Sequence, residues 1–290
     1  MADSTPASAP GLDLRNATNA LEALAKALVV HIEGDGRTSL KARHPGLPVI
    51  LSNFARMSDV TWRSLRVLLS DKQSPTDLFV AAGPLVRTLL EATMSLVFMG
   101  EDLVPRLVWY FRSGWRDAAS LQARLERRHG KDAQWQPYLS EHRAWVESHE
   151  ADFGITPAER ADPKTATPDG WWPNPGRMVK VCKDTSRKAF LRHVNDWAYG
   201  ELSGNAHLAY MGLARTASLL HDTATAHARE VHRSKAIRRS ITLFTAVLSE
   251  VAVLADARWA RERAAAIWGM LKVVPEAVEL HETDRGWWNG

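Results

Sequence analysis

Apolar residues recur along this chain three and four positions apart, the spacing of one face of an α-helix. Within residues 12–32, Leu21, Leu24, Leu28 and Ile32 follow it and run into Gly34-Asp35-Gly36, which predicts a helix and its stop. A turn around His44-Pro45-Gly46 precedes a second helical run over 49–70. Two more follow, 77–99 and 104–129, with Gly100 between them and Gly130 at the end; Gly83-Pro84 marks a kink or restart in the first. Residues 132–153 are amphipathic and strongly charged. Helical periodicity returns over 177–220, with a break near 184–186, and again over 235–273, the longest uninterrupted pattern, closed by Val274-Pro275. Residues 221–233, between these runs, are polar and read as mobile. No stretch alternates β-branched with polar residues, so the expected fold class is all-α.

One segment breaks the pattern. Residues 154–176 contain Pro157, Pro163, Pro168, Pro173 and Pro175 among Thr, Asp and Gly, the composition of a long loop. Trp171-Trp172 near its end implies that the loop is pinned to the body. No repeat of fixed period is present. The expected organisation is one bundle-like helical domain over 12–290, with 154–176 as an insertion and 1–11 as a disordered tail.

Composition narrows the class. The 290 residues are 45% hydrophobic and 24% charged, ordinary for a soluble globular protein. A single cysteine, Cys182, excludes an internal disulfide and a cysteine-rich zinc site. The most apolar stretches, 85–99 and 241–255, are interrupted by Arg87 and Glu91 and by Glu250, and fall short of the roughly 20 residues of a membrane span. No signal peptide is read at the start, and the expected location is cytoplasmic. No cofactor fingerprint is present. His221, His227 and His232 are spaced so that they do not share one helical face, and no HExxH pattern occurs, so no metal site is expected. The net charge of +4 permits an anionic partner without requiring one.

Two short patterns carry the candidate chemistry. Arg87-x3-Glu91 sets a polar strip on an otherwise apolar helix, and burying either charge alone would cost several kcal/mol. The two can pair locally, but arginine preceding glutamate is the poorer orientation, which points to partners on another helix. Tyr199-x3-Ser203-x3-His207 supplies such partners on one face of a later helix, with Gly200 and Gly204 allowing close approach of a backbone or a ligand. In the plainer reading, Arg87, Glu91, Tyr199, Ser203 and His207 form a structural network fixing helix register. In the functional reading they line a binding or catalytic pocket, with His207 moving protons and Arg87 holding a phosphate or carboxylate. A Ser203–His207 nucleophile pair is the weakest variant, because no oxyanion-hole or nucleophile-elbow sequence accompanies it.

These segments resemble the two markers of an uncharacterised bacterial all-helical family, over about 49–213. The resemblance implies a helical fold and a shared polar site at Arg87, Glu91, Tyr199, Ser203 and His207, and no particular reaction. A weaker resemblance is to HEPN-type helical ribonucleases, whose motif is an arginine and a histidine with four to six residues between them. Arg187-x5-His193 fits it, as do Arg37–His44, Arg124–His129, Arg143–His149 and Arg215–His221. Three basic clusters add an electrostatic argument: Arg124/Arg127/Arg128/Lys131, Lys180/Lys183/Arg187/Lys188/Arg192 and Arg229/Arg233/Lys235/Arg238/Arg239. By analogy, the chain is expected to be an effector or regulator acting on RNA or a nucleotide-like anion in stress or phage defence. The alternatives are a helical interaction module that docks a partner through its tryptophans, and a small-molecule enzyme with His207 as general base. A homodimer is also expected, because a continuous helix over 235–270 would be about 54 Å long and outrun its own domain.

Overall fold

Every regular element is helical among the described residues, which are 10–70, 78–167, 169–206, 214, 217–221 and 225–282 of the computed structural model. The all-α expectation therefore holds. The chain divides into two compact units, Met1–Glu101 with Pro175–Gly290, and Asp102–Asn174.

The larger unit opens with α1 (Pro10–Glu33), whose Leu21, Leu24, Leu28 and Ile32 are buried, as their spacing predicts. Pro10 and Gly11 already belong to this helix, and the rest of the expected tail lies outside the described residues. α2 (Arg37–Arg43) is a short bridge to α3 (Leu47–Leu68), which buries Leu51, Ala55, Trp62 and Leu65. α4 (Ala82–Met99) follows a short 3-10 turn. Pro84 sits in its first turn, where a missing N–H is tolerated, so Gly83-Pro84 lies at the start of the helix. The stretch Phe79–Met99 is long and apolar enough to cross a membrane; α4 packs against α3 as a core helix does. α8 (Pro175–Val181) and α9 (Thr185–Val194) are separated by a break whose Asp184 caps α9 by accepting a hydrogen bond from the Arg187 N–H. α10 (Gly200–Ala206) continues that line.

Further helices of this unit are α11 (Ala226–Leu254), α12 (Arg258–Met270) and α13 (Pro275–Glu282). α11 is the axis of the unit: its residues from Arg239 to Ala252 are all buried, and it packs on α1, α3, α4 and α12. Two expectations are corrected here. The segment 221–233 is not all irregular, because α11 begins at Ala226, capped by the Thr225 hydroxyl accepting from the Ala228 N–H. The pattern over 235–273 is not one helix. It stops at Leu254, where Asp256 takes a left-handed conformation with φ of 52°. The Ala257 N–H then reaches the Ala252 carbonyl and the Asp256 N–H the Val253 carbonyl, a Schellman-type stop. Arg43 Nη1 donates to the Leu254 carbonyl at 2.7 Å and satisfies another end group. α12 folds back onto α1 and α11, so the excess length that motivated pairing between copies is absent.

The smaller unit is built on α5 (Leu103–His129) and α6 (Gln136–Ser148), followed by α7 (Pro157–Ala161) and a 3-10 turn, Pro163–Ala166. Trp115, Val146 and Ala166 form its core. The proline-rich stretch thus carries short helices, and it is tied down as Trp171-Trp172 implied. Trp172 meets Trp109 and Tyr110, Trp171 lies 3.9 Å from the Arg116 guanidinium, and Trp109 donates to the Gly170 carbonyl. Arg112 reaches the Phe153 and Gly154 carbonyls and Glu159. A capping box between Thr156 and Glu159 starts α7.

Candidate functional site

Between α9 and α10 the helix widens into a π turn, Asn195–Tyr199. Such a turn inserts a residue into the α-helical phase and is frequent at functional sites. It presents Trp197 and Tyr199 to two arginines from neighbouring helices. The Arg87 guanidinium of α4 lies 5.6 Å from the centre of the Tyr199 ring, and the Arg239 guanidinium of α11 lies 5.5 Å from that of Trp197.

Arg87 Nε donates to Glu91 Oε1 at 2.8 Å. The local pair judged less favourable therefore forms. The reason is exposure: the Glu91 side chain is 42% exposed against 16% for Arg87, so the carboxylate has little desolvation cost to recover from a second helix. Ser203 is half-buried on α10 about one turn beyond Tyr199. His207 lies outside the described residues. Arg87, Glu91 and Tyr199 are thus brought together across more than a hundred residues of chain. At Gly200 no described atom outside its own stretch of helix comes within 4 Å of where a Cβ would stand, so no described backbone approaches closely there.

On the other flank of the π turn, Glu201 accepts from Lys235 Nζ at 2.9 Å and from Arg239 Nη1 at 3.0 Å. Arg239 Nη2 also donates to the Trp197 carbonyl, tying α11 to the turn itself. Burial alone would push the Glu201 carboxyl up; the hydrogen bond from Lys235 and the charges of Arg239 and Lys235 outweigh it and hold the carboxyl below its ordinary value. A void of about 20 Å³ between Gly83, Val86, Leu202, His232 and these charges has room for roughly one water.

A second charged centre lies deeper. Arg187 of α9 donates to the Val97 carbonyl at 2.9 Å, and its Nη1 stands 3.7 Å from Glu250 Oε2 of α11. His193, the other half of the HEPN-like spacing, turns instead towards Glu279, 3.9 Å away. The two members of that motif therefore serve different partners.

Sequence reasoning passed over Trp197 and Glu201 and took Arg239 for one of a row of surface cations. Glu250 was visible as the lone carboxylate in an apolar run, which was the available signal. The third basic cluster is largely committed within the chain: Lys235 and Arg239 to Glu201, Arg238 to Glu276, Arg233 to Glu230 and Arg229 to backbone carbonyls. Compared with known proteins, the chain matches no family model, no curated protein and no solved structure.

Proposed function

We propose that this chain is a cytoplasmic helical effector or regulator acting on RNA or a nucleotide-like anion, with the seam around the π turn as its ligand site. The observation that carries the reading is the Arg87–Tyr199 pair with Glu91 as Arg87's partner. A guanidinium held beside a ring is placed to grip a phosphate while a base stacks nearby. The Glu91 carboxylate is 42% exposed and can turn into water when a phosphate takes its place on Arg87. Expression of the chain with measurement of growth arrest and RNA integrity tests the reading, alongside Arg87→Ala and His207→Ala. Arrest with RNA loss, removed by either substitution in a chain that still folds, supports it; intact RNA with no arrest counts against it.

A second reading, a non-enzymatic helical interaction module, is favoured by the internal charge balance of the larger unit. Glu201 answers Lys235 and Arg239, and Glu250 answers Arg187, which is how a scaffold fixes register. Under that reading Arg87→Ala lowers stability and leaves every binding measurement unchanged.

A further inference from the structure

The smaller unit carries a feature that the seam does not use. Along α6 and the turn before it, Trp135, Tyr138, His142, Trp145 and His149 are spaced alternately three and four residues apart, so their rings share one face. Successive ring centres lie 5.9, 6.0, 6.4 and 4.5 Å apart. Leu139 and Val146 on the adjoining face are buried in the unit. The ladder is not: Tyr138 and Trp145 are each 47% exposed. Mutual packing of rings explains part of this, at only a few tenths of a kcal/mol per pair. It does not explain why two large aromatics remain half in water beside a formed core.

Three of the five rungs are tethered. His142 donates from Nδ1 to Gln122 Oε1 at 2.7 Å, and His149 from Nδ1 to the Trp145 carbonyl at 2.8 Å. Trp135, at one end, stacks flat on His129 at 4.1 Å. A ligand laid on these rings would order little that is not already ordered.

Charge says what that ligand is. At the His129 end, Arg124, Arg127, Arg128 and Lys131 are all exposed. The carboxylate among them, Glu126, is taken up by Gln122 and Arg143, which hold it below its ordinary value, and Asp132 caps the Gln134 N–H. A row of rings that runs into exposed cations, which outnumber the carboxylates beside them (Glu126, Asp132 and Asp117, the last interacting with Arg124), is an arrangement that binds unpaired bases and their phosphates. We infer that the aromatic ladder of α6, with the cations ending α5, is a docking surface for single-stranded nucleic acid. This rests on the reading that the chain acts on RNA or a nucleotide-like anion, but it places strand capture on residues other than the seam.

The test is fluorescence anisotropy of labelled 12-nucleotide oligo(U) and oligo(dT), with a 12-base-pair duplex as control, titrated with the full chain. Expected is single-strand binding that Tyr138→Ala or Trp145→Ala weakens roughly five- to hundredfold. Oligo(U) alone binding marks RNA as the source; both binding equally marks any single strand. Trp145→Leu keeps the apolar cover and removes the indole face, so the same loss there excludes misfolding as the cause. Each of Arg127→Gln and Arg128→Gln should lower the slope of log affinity against log salt by about 0.7. Binding that is absent, equal for duplex, or indifferent to Tyr138 and Trp145 overturns the proposal. So does a dimer that Trp145→Ala dissolves, since the ladder would then be a contact between copies. Loss of binding in Arg87→Ala alone would overturn the ladder and leave the seam standing; intact strand binding without RNA loss in cells would do the reverse.

Discussion

Arg187 and Glu250 face each other across 3.7 Å in the interior of the larger unit, with the Glu250 side chain wholly removed from water. The pair joins α9 to α11, and through the Val97 carbonyl to α4. Removing one partner takes a nearby opposite charge from the other in a medium that solvates it poorly. Glu250→Leu or Arg187→Met alone should each lower stability by about 3–5 kcal/mol, whereas the double variant should lie closer to the parent. Urea midpoints of the four proteins measure this as a double-mutant cycle, and additive losses would show that the pair is not coupled.

The same arginine explains Gly100. Its φ is an ordinary −67°, so conformational freedom is not the reason for glycine there. A Cβ would stand 2.5 Å from Arg187 Nη1, and the guanidinium is held by Glu250 and Val97. Gly100→Ala should cost about 1–3 kcal/mol through overpacking. In an Arg187→Met background the cost should largely disappear, since the clashing atom has gone. Thermal melts of the single and double variants give the comparison.

The fold was legible because its helices bury regular apolar stripes: Leu21 to Ile32 in α1 needed nothing but spacing. The site was legible in part. Arg87 and Glu91 stand out as charges on an apolar helix, and Tyr199 as a marker beside glycine. The π turn was not legible, because a single inserted residue leaves no compositional trace and moves α9 out of the phase that a wheel of constant pitch assigns. The stop at Asp256 was hidden for a related reason, since a left-handed residue is expected to be glycine and here is aspartate. Glu201 was missed because its two cations come from α11, and contacts between distant helices have no local signature.

Acid sensitivity follows from Glu201. Its carboxyl is held below its ordinary value in the folded protein, so the stability it contributes is fully present above the unfolded value of 4.5 and is lost as pH falls through the folded value. Glu201→Gln should lower stability near neutrality by about 2–3 kcal/mol, because Arg239 is buried and loses its counter-charge. The same variant should lose less than the parent between neutrality and pH 3. Melting temperatures at both pH values check the sign: an equal fall in both proteins would mean that Glu201 carries no part of the acid response.

Asp256 offers a gain. An L-residue in the left-handed region costs roughly 1–2 kcal/mol, less for aspartate than for most. Its 3.6 Å contact with Arg261 recovers little, because the Asp256 side chain is 83% exposed. Asp256→Gly should therefore raise stability by about 0.5–1 kcal/mol, and Asp256→Val should lower it by about 1–2 kcal/mol. The opposite order in chemical denaturation would mean that the stop between α11 and α12 is set by something other than this residue.

Gly200 separates scaffold from site. Glycine inside a helix costs about 1 kcal/mol relative to alanine, and no described atom near Gly200 requires it. If the π turn and the Arg87–Tyr199 pair only fix helix register, Gly200→Ala should stabilise the protein by about 0.5–1 kcal/mol and change nothing else. If the open space beside Gly200 admits a ligand, the added methyl should weaken binding of that ligand while the melting temperature rises. Thermal melts with and without added nucleoside triphosphate distinguish the two. A parent protein stabilised by the nucleotide, beside a Gly200→Ala variant that is more stable alone but gains nothing from it, is the outcome expected of a ligand site. Equal nucleotide shifts in both proteins would place binding away from the π turn, and no shift in either would favour the scaffold.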